Sequence, residues 1–284
     1  MNLNSNKNDF ISTNLSRLWK NPVFQNHDSR EYISSSIEIN QYIKKKFRLH
    51  NHMKSILGIN INLPFVSFGK INSSHLLGLD ELLIYYFYII NSKKYKKVAD
   101  IGANIGLHSK LLSELGYEVD SFEPDYNHYD IAKNYLRNCK KNTLYNCAVS
   151  SFNGKADFTK ILNNTTGSYL IDKKKGYGPL KKYKVDVINS NKLIGKYDLI
   201  KIDAEGSEID ILSSLGLREI KKIDLIVEIT TKENRDLFWK YFCKNGVIVY
   251  SQKSSWNKVT KLDDLPKSYK EGSIFISEKN KWYD

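Results

Sequence analysis

The nine residues Val98-Ala-Asp-Ile-Gly-Ala-Asn-Ile-Gly106 restrict what this chain can fold into more tightly than any other stretch. A short apolar run ends in an acid, turns through two glycines and enters an amphipathic segment over 107–115 that Gly116 closes. That is a strand, a tight turn and a helix. Gly102 allows a turn that a ligand can approach closely, Gly106 lets helix and strand pack together, and the first N–H groups of the helix face the turn. The spacing departs from the Gly-x-Gly-x-x-Gly pattern that seats a pyrophosphate, because the middle glycine is Asn104 and Asp100 precedes the turn. An anion is disfavoured beside Asp100. A cofactor that carries an ammonium and a sulfonium in place of a pyrophosphate fits.

From residue 93 onward short apolar runs alternate with amphipathic segments, the pattern of βα units joined in a parallel sheet. Strands are expected at 98–101, 118–122, 144–149, 198–202, 223–228, 247–250 and 273–277, and helices at 107–115, 126–138, 208–215 and 233–244. The last two strands lack a helical crossover and predict an antiparallel closing hairpin. The expected class is therefore α/β, a doubly wound, mostly parallel seven-stranded sheet built from residues 93–284. Residues 157–187 lack a helical period and are expected to form an inserted hairpin, its loop carrying Gly167, Lys173-Lys-Lys175, Gly176, Gly178, Lys181 and Lys182. Residues 1–92 are expected as a helical N-terminal extension. It would hold a short docking helix on the surface within the first 30 residues, a helix over 31–49 and another over 80–91 with Asp80 as N-cap. No period of 20–50 residues recurs, which excludes solenoids and propellers.

Charge narrows the partners. Lys+Arg number 44 against 31 Asp+Glu, a net +13 that taken alone suits a nucleic acid, an acidic membrane or an acidic substrate. Only six of these cations are Arg, the two-pronged reader of phosphates and bases, so the basicity reads as a solvated surface and no nucleic-acid partner is expected. The most apolar stretch, 76–90, is interrupted by Asp80 and Glu81 and falls short of the roughly 20 residues of a membrane span. It is expected to be a buried helix. Cys139, Cys147 and Cys243 are odd in number and lack disulfide or zinc spacing, which suits a reducing cytoplasm. The first ten residues have no apolar core and no small-residue cleavage site, so no secretory signal is expected.

Three further strand ends carry acids. Glu123 follows Gly106 by 17 residues, in Phe122-Glu-Pro124, where doubly wound folds place the acid that accepts hydrogen bonds from ribose hydroxyls. In Asp198-Leu-Ile-Lys-Ile-Asp-Ala-Glu-Gly-Ser-Glu208, two-residue alternation sets Lys201 and Asp203 on one side of a strand, with Glu205 in the turn beyond. That strand end faces the ligand crevice of an open α/β sheet, so Asp203 and Glu205 are expected to look into the site. Glu228 ends the run that begins at Ile223.

These residues together resemble the FkbM-type methyltransferases, which use S-adenosylmethionine and have the Rossmann-like class I methyltransferase fold. The resemblance spans about 97–246. It rests on Asp100-Ile-Gly-Ala-Asn-Ile-Gly106, Phe122-Glu-Pro124, Asn146-Cys-Ala-Val-Ser150, Ile200-Lys-Ile-Asp-Ala-Glu-Gly-Ser-Glu208 and Val227-Glu-Ile229. It implies that Asp100, Gly102, Ala103, Asn104 and Gly106 cradle the donor's methionine part. Glu123, with Pro124 beside it, would hold the ribose, and Asn146 and Ala148 would border the adenine. It also implies O-methylation of a sugar, glycan or natural-product hydroxyl. Two departures matter: members often carry His where this chain has Thr230, and residues 1–96 match no motif of the family. Acceptor choice is expected to lie in that segment and in the loop at 160–185.

Methyl transfer from a sulfonium to a hydroxyl is an in-line displacement, in which positioning supplies much of the rate. A carboxylate in reach of the hydroxyl proton assists; Asp203 is the first choice and Glu228 the second, with Lys201 and Glu205 as substrate contacts. A divalent metal such as Mg²⁺ on Asp203, Glu205 or Glu228 would instead acidify the acceptor, although no spacing demands it. Two rival readings share the fold. One is an RNA ribose 2′-O-methyltransferase, whose Lys-Asp-Lys-Glu set Lys201, Asp203 and Glu228 match only in part. The other is a non-catalytic protein that binds S-adenosylmethionine.

Overall fold

A computed structural model describes residues 10–170 and 176–283. The N-terminal segment comprises α1 (Phe10–Lys20), α2 (Arg30–His50), the hairpin strands β1 (His52–Ile56) and β2 (Ile59–Pro64), and α3 (Leu79–Ile90). On α1, Ile11, Leu15 and Leu18 recur at one helical face and are buried in one cluster with Val98 and Val119 of the main sheet. The helix is thus core, where a surface docking helix had been expected. Apolar Ile59, Ile61 and Leu63 alternate with exposed Asn60 and Asn62, a period of two that makes β2 a half-buried strand. Leu57 and Gly58 join it to β1 with φ of 52° and 76°, the left-handed pair that a two-residue hairpin turn requires. α3 is capped by Gly78, so Asp80 sits in its first turn and does not cap it. The Asp80 carboxylate instead takes the Tyr32 hydroxyl at 2.7 Å and His27 Nε2 at 2.8 Å.

β3 (Lys97–Ile101), α4 (Leu107–Glu114), β4 (Glu118–Phe122), α5 (Tyr126–Leu136) and β5 (Asn142–Tyr145) then build half of the main sheet. The chain leaves it for a second sheet of β6 (Ala148–Ser150), β7 (Gly154–Ile161), β8 (Tyr169–Leu170) and β9 (Leu180–Asn189). It returns as β10 (Leu199–Ile202), α6 (Glu208–Leu215), the single turn α7 (Leu217–Ile220), β11 (Asp224–Glu228), α8 (Lys232–Tyr241), β12 (Val249–Ser251), β13 (Asn257–Lys258) and β14 (Ser273–Ile276). The main sheet runs β13-β12-β14-β11-β10-β3-β4-β5. Neighbours from β11 to β5 are parallel, while β14 is antiparallel to both β11 and β12. Eight strands are present where seven had been expected, the extra one being the two-residue edge strand β13.

Strand order reverses between β3 and β10, and the crevice at such a switch point is where open α/β sheets bind ligands. The single strand expected over 144–149 is in fact two. β5 ends the main sheet, Asn146 and Cys147 carry the chain across, and β6 pairs in parallel with β9 of the second sheet. The inserted hairpin is β7 against β9, in register from Gly154↔Val187 to Ile161↔Leu180. Lys173, Lys174 and Lys175 lie outside the described residues. Alternation along β3 and β10 sends Val98 and Leu199 into the cluster shared with the N-terminal segment, and Ala99, Ile101, Ile200 and Ile202 into the opposite one with α6 and α8. Asp100 and Lys201 therefore face the N-terminal side. No helix among the described residues is long and apolar enough to cross a membrane, and the three cysteines are free thiols.

Candidate functional site

The turn after β3 is fixed by the strand beside it. Gly102 and Ala103 both donate to the Phe122 carbonyl at 3.0 Å. At Gly102, φ is 79° and a Cβ would stand 1.8 Å from the Asp203 carbonyl oxygen, so only glycine lets the ends of β3 and β10 meet. Asn104 takes a left-handed φ of 54° and its N–H donates to Glu123 Oε2 at 2.7 Å, while the Asp125 N–H donates to Oε1 at 2.8 Å. Glu123 is 5% exposed, and burial pushes its carboxyl up to about 8 against the lowering effect of those two N–H groups. Each of its oxygens keeps a lone pair for a further donor.

Beside it opens a cleft lined among others by Gly102, Asn104, Glu123, Pro124, Ala148, Asp203 and Glu205. Seven residues singled out from the sequence thus line one cleft. A smaller cavity lies across the turn, lined by Gly102, Ala103, Asn104, Lys201 and Asp203 together with Glu81, Tyr85 and His108. Asp203 belongs to both. Asp100 is fully buried beneath the turn, where Ser109 Oγ donates to its Oδ2 at 2.6 Å and Oδ1 has no hydrogen-bond partner. Lys201 Nζ is 3.2 Å from Asp203 Oδ2 and 3.8 Å from Asp100 Oδ1. Burial alone would lower its basicity, but the charges of Asp203, Asp100 and Glu81 raise it above the ordinary lysine value.

Four expected residues line neither cavity: Asp100, buried beneath the turn, and three more. Gly106 packs against Leu136. Asn146 is exposed and spends its amide on the Glu123 carbonyl at 2.8 Å, because the chain changes sheets there. Glu228 lines neither space; burial and the charges of Asp203 and Glu205 raise its carboxyl well above the usual range, which favours the protonated form.

Other walls depend on pairings distant in sequence. Asp125 caps α5, accepting from the Asn127 N–H at 2.8 Å, and pairs with buried Lys160 of β7 at 2.7 Å. The cap is a signal a sequence can show. The lysine partner is not. His128 lines the cleft with Thr165, whose Oγ1 lies 2.9 Å from Nε2, and burial pushes the imidazole down to about 4, leaving it neutral. Glu208, fully buried, accepts from the Gly206 N–H at 2.9 Å, Thr230 Oγ1 at 2.9 Å and Asn234 Nδ2 at 2.6 Å. Thr230 thus braces the turn in which Glu205 takes φ of 49°. Among the described residues, no group of three or more His, Cys, Asp or Glu side chains is placed to hold a metal ion.

The sequence profile of the methyltransferase FkbM domain matches residues 100–246. No curated protein matches the sequence. Among solved structures, the chain is similar to methyltransferase FkbM from Methylobacillus flagellatus KT, with 16% identity and a TM-score of 0.39 over 64% of this chain and 43% of that one. It therefore spans less than half the length of that relative. It is also similar to a precorrin-6y C5,15-methyltransferase from Geobacter metallireducens GS-15, with 10% identity and a TM-score of 0.38 over 68% of this chain and 85% of that one. A third is the Pyrococcus abyssi tRNA (uracil-54, C5)-methyltransferase in complex with S-adenosyl-L-homocysteine, with 12% identity and a TM-score of 0.42 over 80% of this chain and 44% of that one. With the matched domain covering the glycine turn, both cavities' strand ends and more than half of the residues, the chain belongs to the FkbM methyltransferase family.

Proposed function

We propose that the protein is an S-adenosylmethionine-dependent O-methyltransferase whose acceptor is a hydroxyl of a sugar, glycan or natural product. The observation that carries this reading is the single cleft joining Glu123 to Asp203 past the glycine turn. Glu123 would accept hydrogen bonds from the ribose hydroxyls of a nucleoside, and the same cleft reaches Asp203. The residues suit a sulfonium donor. Buried Asp100, whose Oδ1 has no hydrogen bond, disfavours a pyrophosphate, while Ala148, Phe158 and Leu170 offer apolar wall to a base. When bound, S-adenosylmethionine supplies an activated methyl group.

The chain's own part is to orient an acceptor oxygen and take its proton. Asp203 stands where the two cavities meet and is held by Lys201, so it is the base; Glu205, on the cleft wall, is a contact for the acceptor. Glu228, outside both spaces, is less suited to either task. The described part of the insertion lines the cleft and the N-terminal segment lines the smaller cavity, which makes them the natural readers of the acceptor. Asp203→Asn keeps the shape and removes the charge. Turnover with a panel of sugar and natural-product alcohols is expected to fall about 10²–10⁴-fold with donor affinity little changed. Undiminished turnover would remove Asp203 from proton transfer, and a wild-type protein that binds donor yet methylates no alcohol would favour the non-catalytic reading.

A further inference from the structure

The smaller cavity holds two groups, Glu81 and His108, that the proposed reaction leaves unused. Its floor is the N-terminal side of the sheet, where parallel register sets Lys201 directly beside Asp100. Its wall is α3, which presents Glu81 and Tyr85 one turn apart to the space. Together with Tyr88 a further turn on, they enclose His108 of α4, with ring centroids 4.8 Å from Tyr85 and 5.8 Å from Tyr88. His108 Nε2 lies 2.7 Å from Glu81 Oε2, and Nδ1 lies 3.1 Å from the Tyr88 hydroxyl. Both ring nitrogens are engaged and the residue is buried, so the imidazole acts as a clamp on the carboxylate.

Charge defines what such a space accepts. Burial would raise the Glu81 carboxyl, but His108 and Lys201 outweigh it and hold it below the usual range. Glu81 and Asp203 therefore face the cavity as acids around one lysine ammonium, with Asp100 Oδ1 beneath at 3.8 Å from that ammonium. A neutral apolar group would leave these charges unmatched. A zwitterion with an ammonium and a carboxylate on one carbon complements them, its ammonium toward Glu81 and its carboxylate toward Lys201.

We infer that the N-terminal segment completes the donor site, with Glu81, clamped by His108, accepting a hydrogen bond from the α-ammonium at the donor's amino-acid end. The inference rests on the donor reading above and deepens it. Residues before the matched domain then serve the donor as well as the acceptor. Glu81 is a binding residue and His108 a positioning residue that acts through it.

Two probes separate this contact from a general loss of structure. S-adenosylhomocysteine carries the amino-acid end; 5′-deoxy-5′-methylthioadenosine has the same nucleoside and thioether without it. Titration calorimetry of the full chain with Glu81→Gln is expected to show S-adenosylhomocysteine weakened about 10- to 100-fold, with methylthioadenosine unchanged. His108→Asn is expected to weaken the first probe less and to leave the second alone, which keeps the test open should the Glu81 variant fail to fold. Equal losses for both probes, or undiminished S-adenosylhomocysteine affinity in both variants, would overturn the inference. So would a wild-type protein that holds the two probes equally well. Wild-type protein that binds neither probe overturns the donor reading itself, a distinct result.

Discussion

Glu123 shows how a single residue can be legible in sequence while its state is not. Its place follows from local order, an apolar strand followed by an acid and a proline, and the structure sets it in the cleft wall. Its raised carboxyl follows from burial, which only the packed molecule reveals. A nucleoside whose hydroxyls donate to the ionised carboxylate must bind more tightly as pH rises through about 8 and level off above it. Methylthioadenosine affinity is thus expected to be about tenfold weaker at pH 7 than on the plateau, and Glu123→Ala to lose about 1–3 kcal/mol of binding together with the pH dependence. Affinity that stays flat through this range in the wild type would remove Glu123 from the ribose site. In the unliganded protein the sign is the reverse. A carboxyl raised on folding contributes stability that is present at low pH and lost as pH climbs toward about 8. Glu81 and His108 were invisible as a pair, because 27 residues separate them and only the docking of α3 on α4 joins them.

Among elements, β3, the glycine turn and α4 were readable because each is specified by its own neighbours in sequence. The elements that escaped depend on distant partners. β5 and β6 look like one apolar strand until two sheets compete for its halves, and α1 looks like a surface helix until the sheet supplies a surface for Ile11, Leu15 and Leu18. The β1–β2 hairpin did have a local signal, the alternation after Gly58. A second non-local feature closes one end of the cleft. The loop before α3 meets the insertion where the Lys70 N–H donates to the Asn163 carbonyl at 2.8 Å and the Thr165 N–H to that of Phe68 at 3.0 Å. Gly69 makes the crossing possible, since at φ of 96° its Cβ would lie 2.5 Å from backbone atoms of Leu162 and Asn163. Gly69→Ala is therefore expected to part the two loops, lower unfolding free energy in denaturant by about 1–3 kcal/mol and weaken nucleoside binding, because Thr165 and Thr166 line the cleft. Unchanged stability and affinity would show the crossing to be incidental.

At the scale of the whole molecule, the N-terminal segment is one of the layers that cover the sheet. It is stapled to the far end of the chain by Gln252 Nε2, which donates to Asp80 at 2.5 Å, and by His27, whose Nε2 lies 2.8 Å from Asp80 and whose Nδ1 meets the Lys270 carbonyl. Burial would lower the His27 imidazole, but the hydrogen bond and charge of Asp80 raise it above the ordinary value of 6.5. A histidine raised on folding contributes stability that is complete below 6.5 and disappears as pH rises through its folded value. Thermal melts are expected to show the wild type losing its advantage over His27→Asn as pH climbs through that window; a gap that is constant with pH would contradict the staple. The cleft between Glu123 and Asp203 is, on the function proposed above, the seat of a sulfonium nucleoside. The most direct measurement is calorimetric titration of the full chain with S-adenosylmethionine and, separately, with NADH. Saturable binding of S-adenosylmethionine that Glu123→Ala weakens, with no heat from NADH, is the expected result; binding of NADH with none of S-adenosylmethionine would contradict the account.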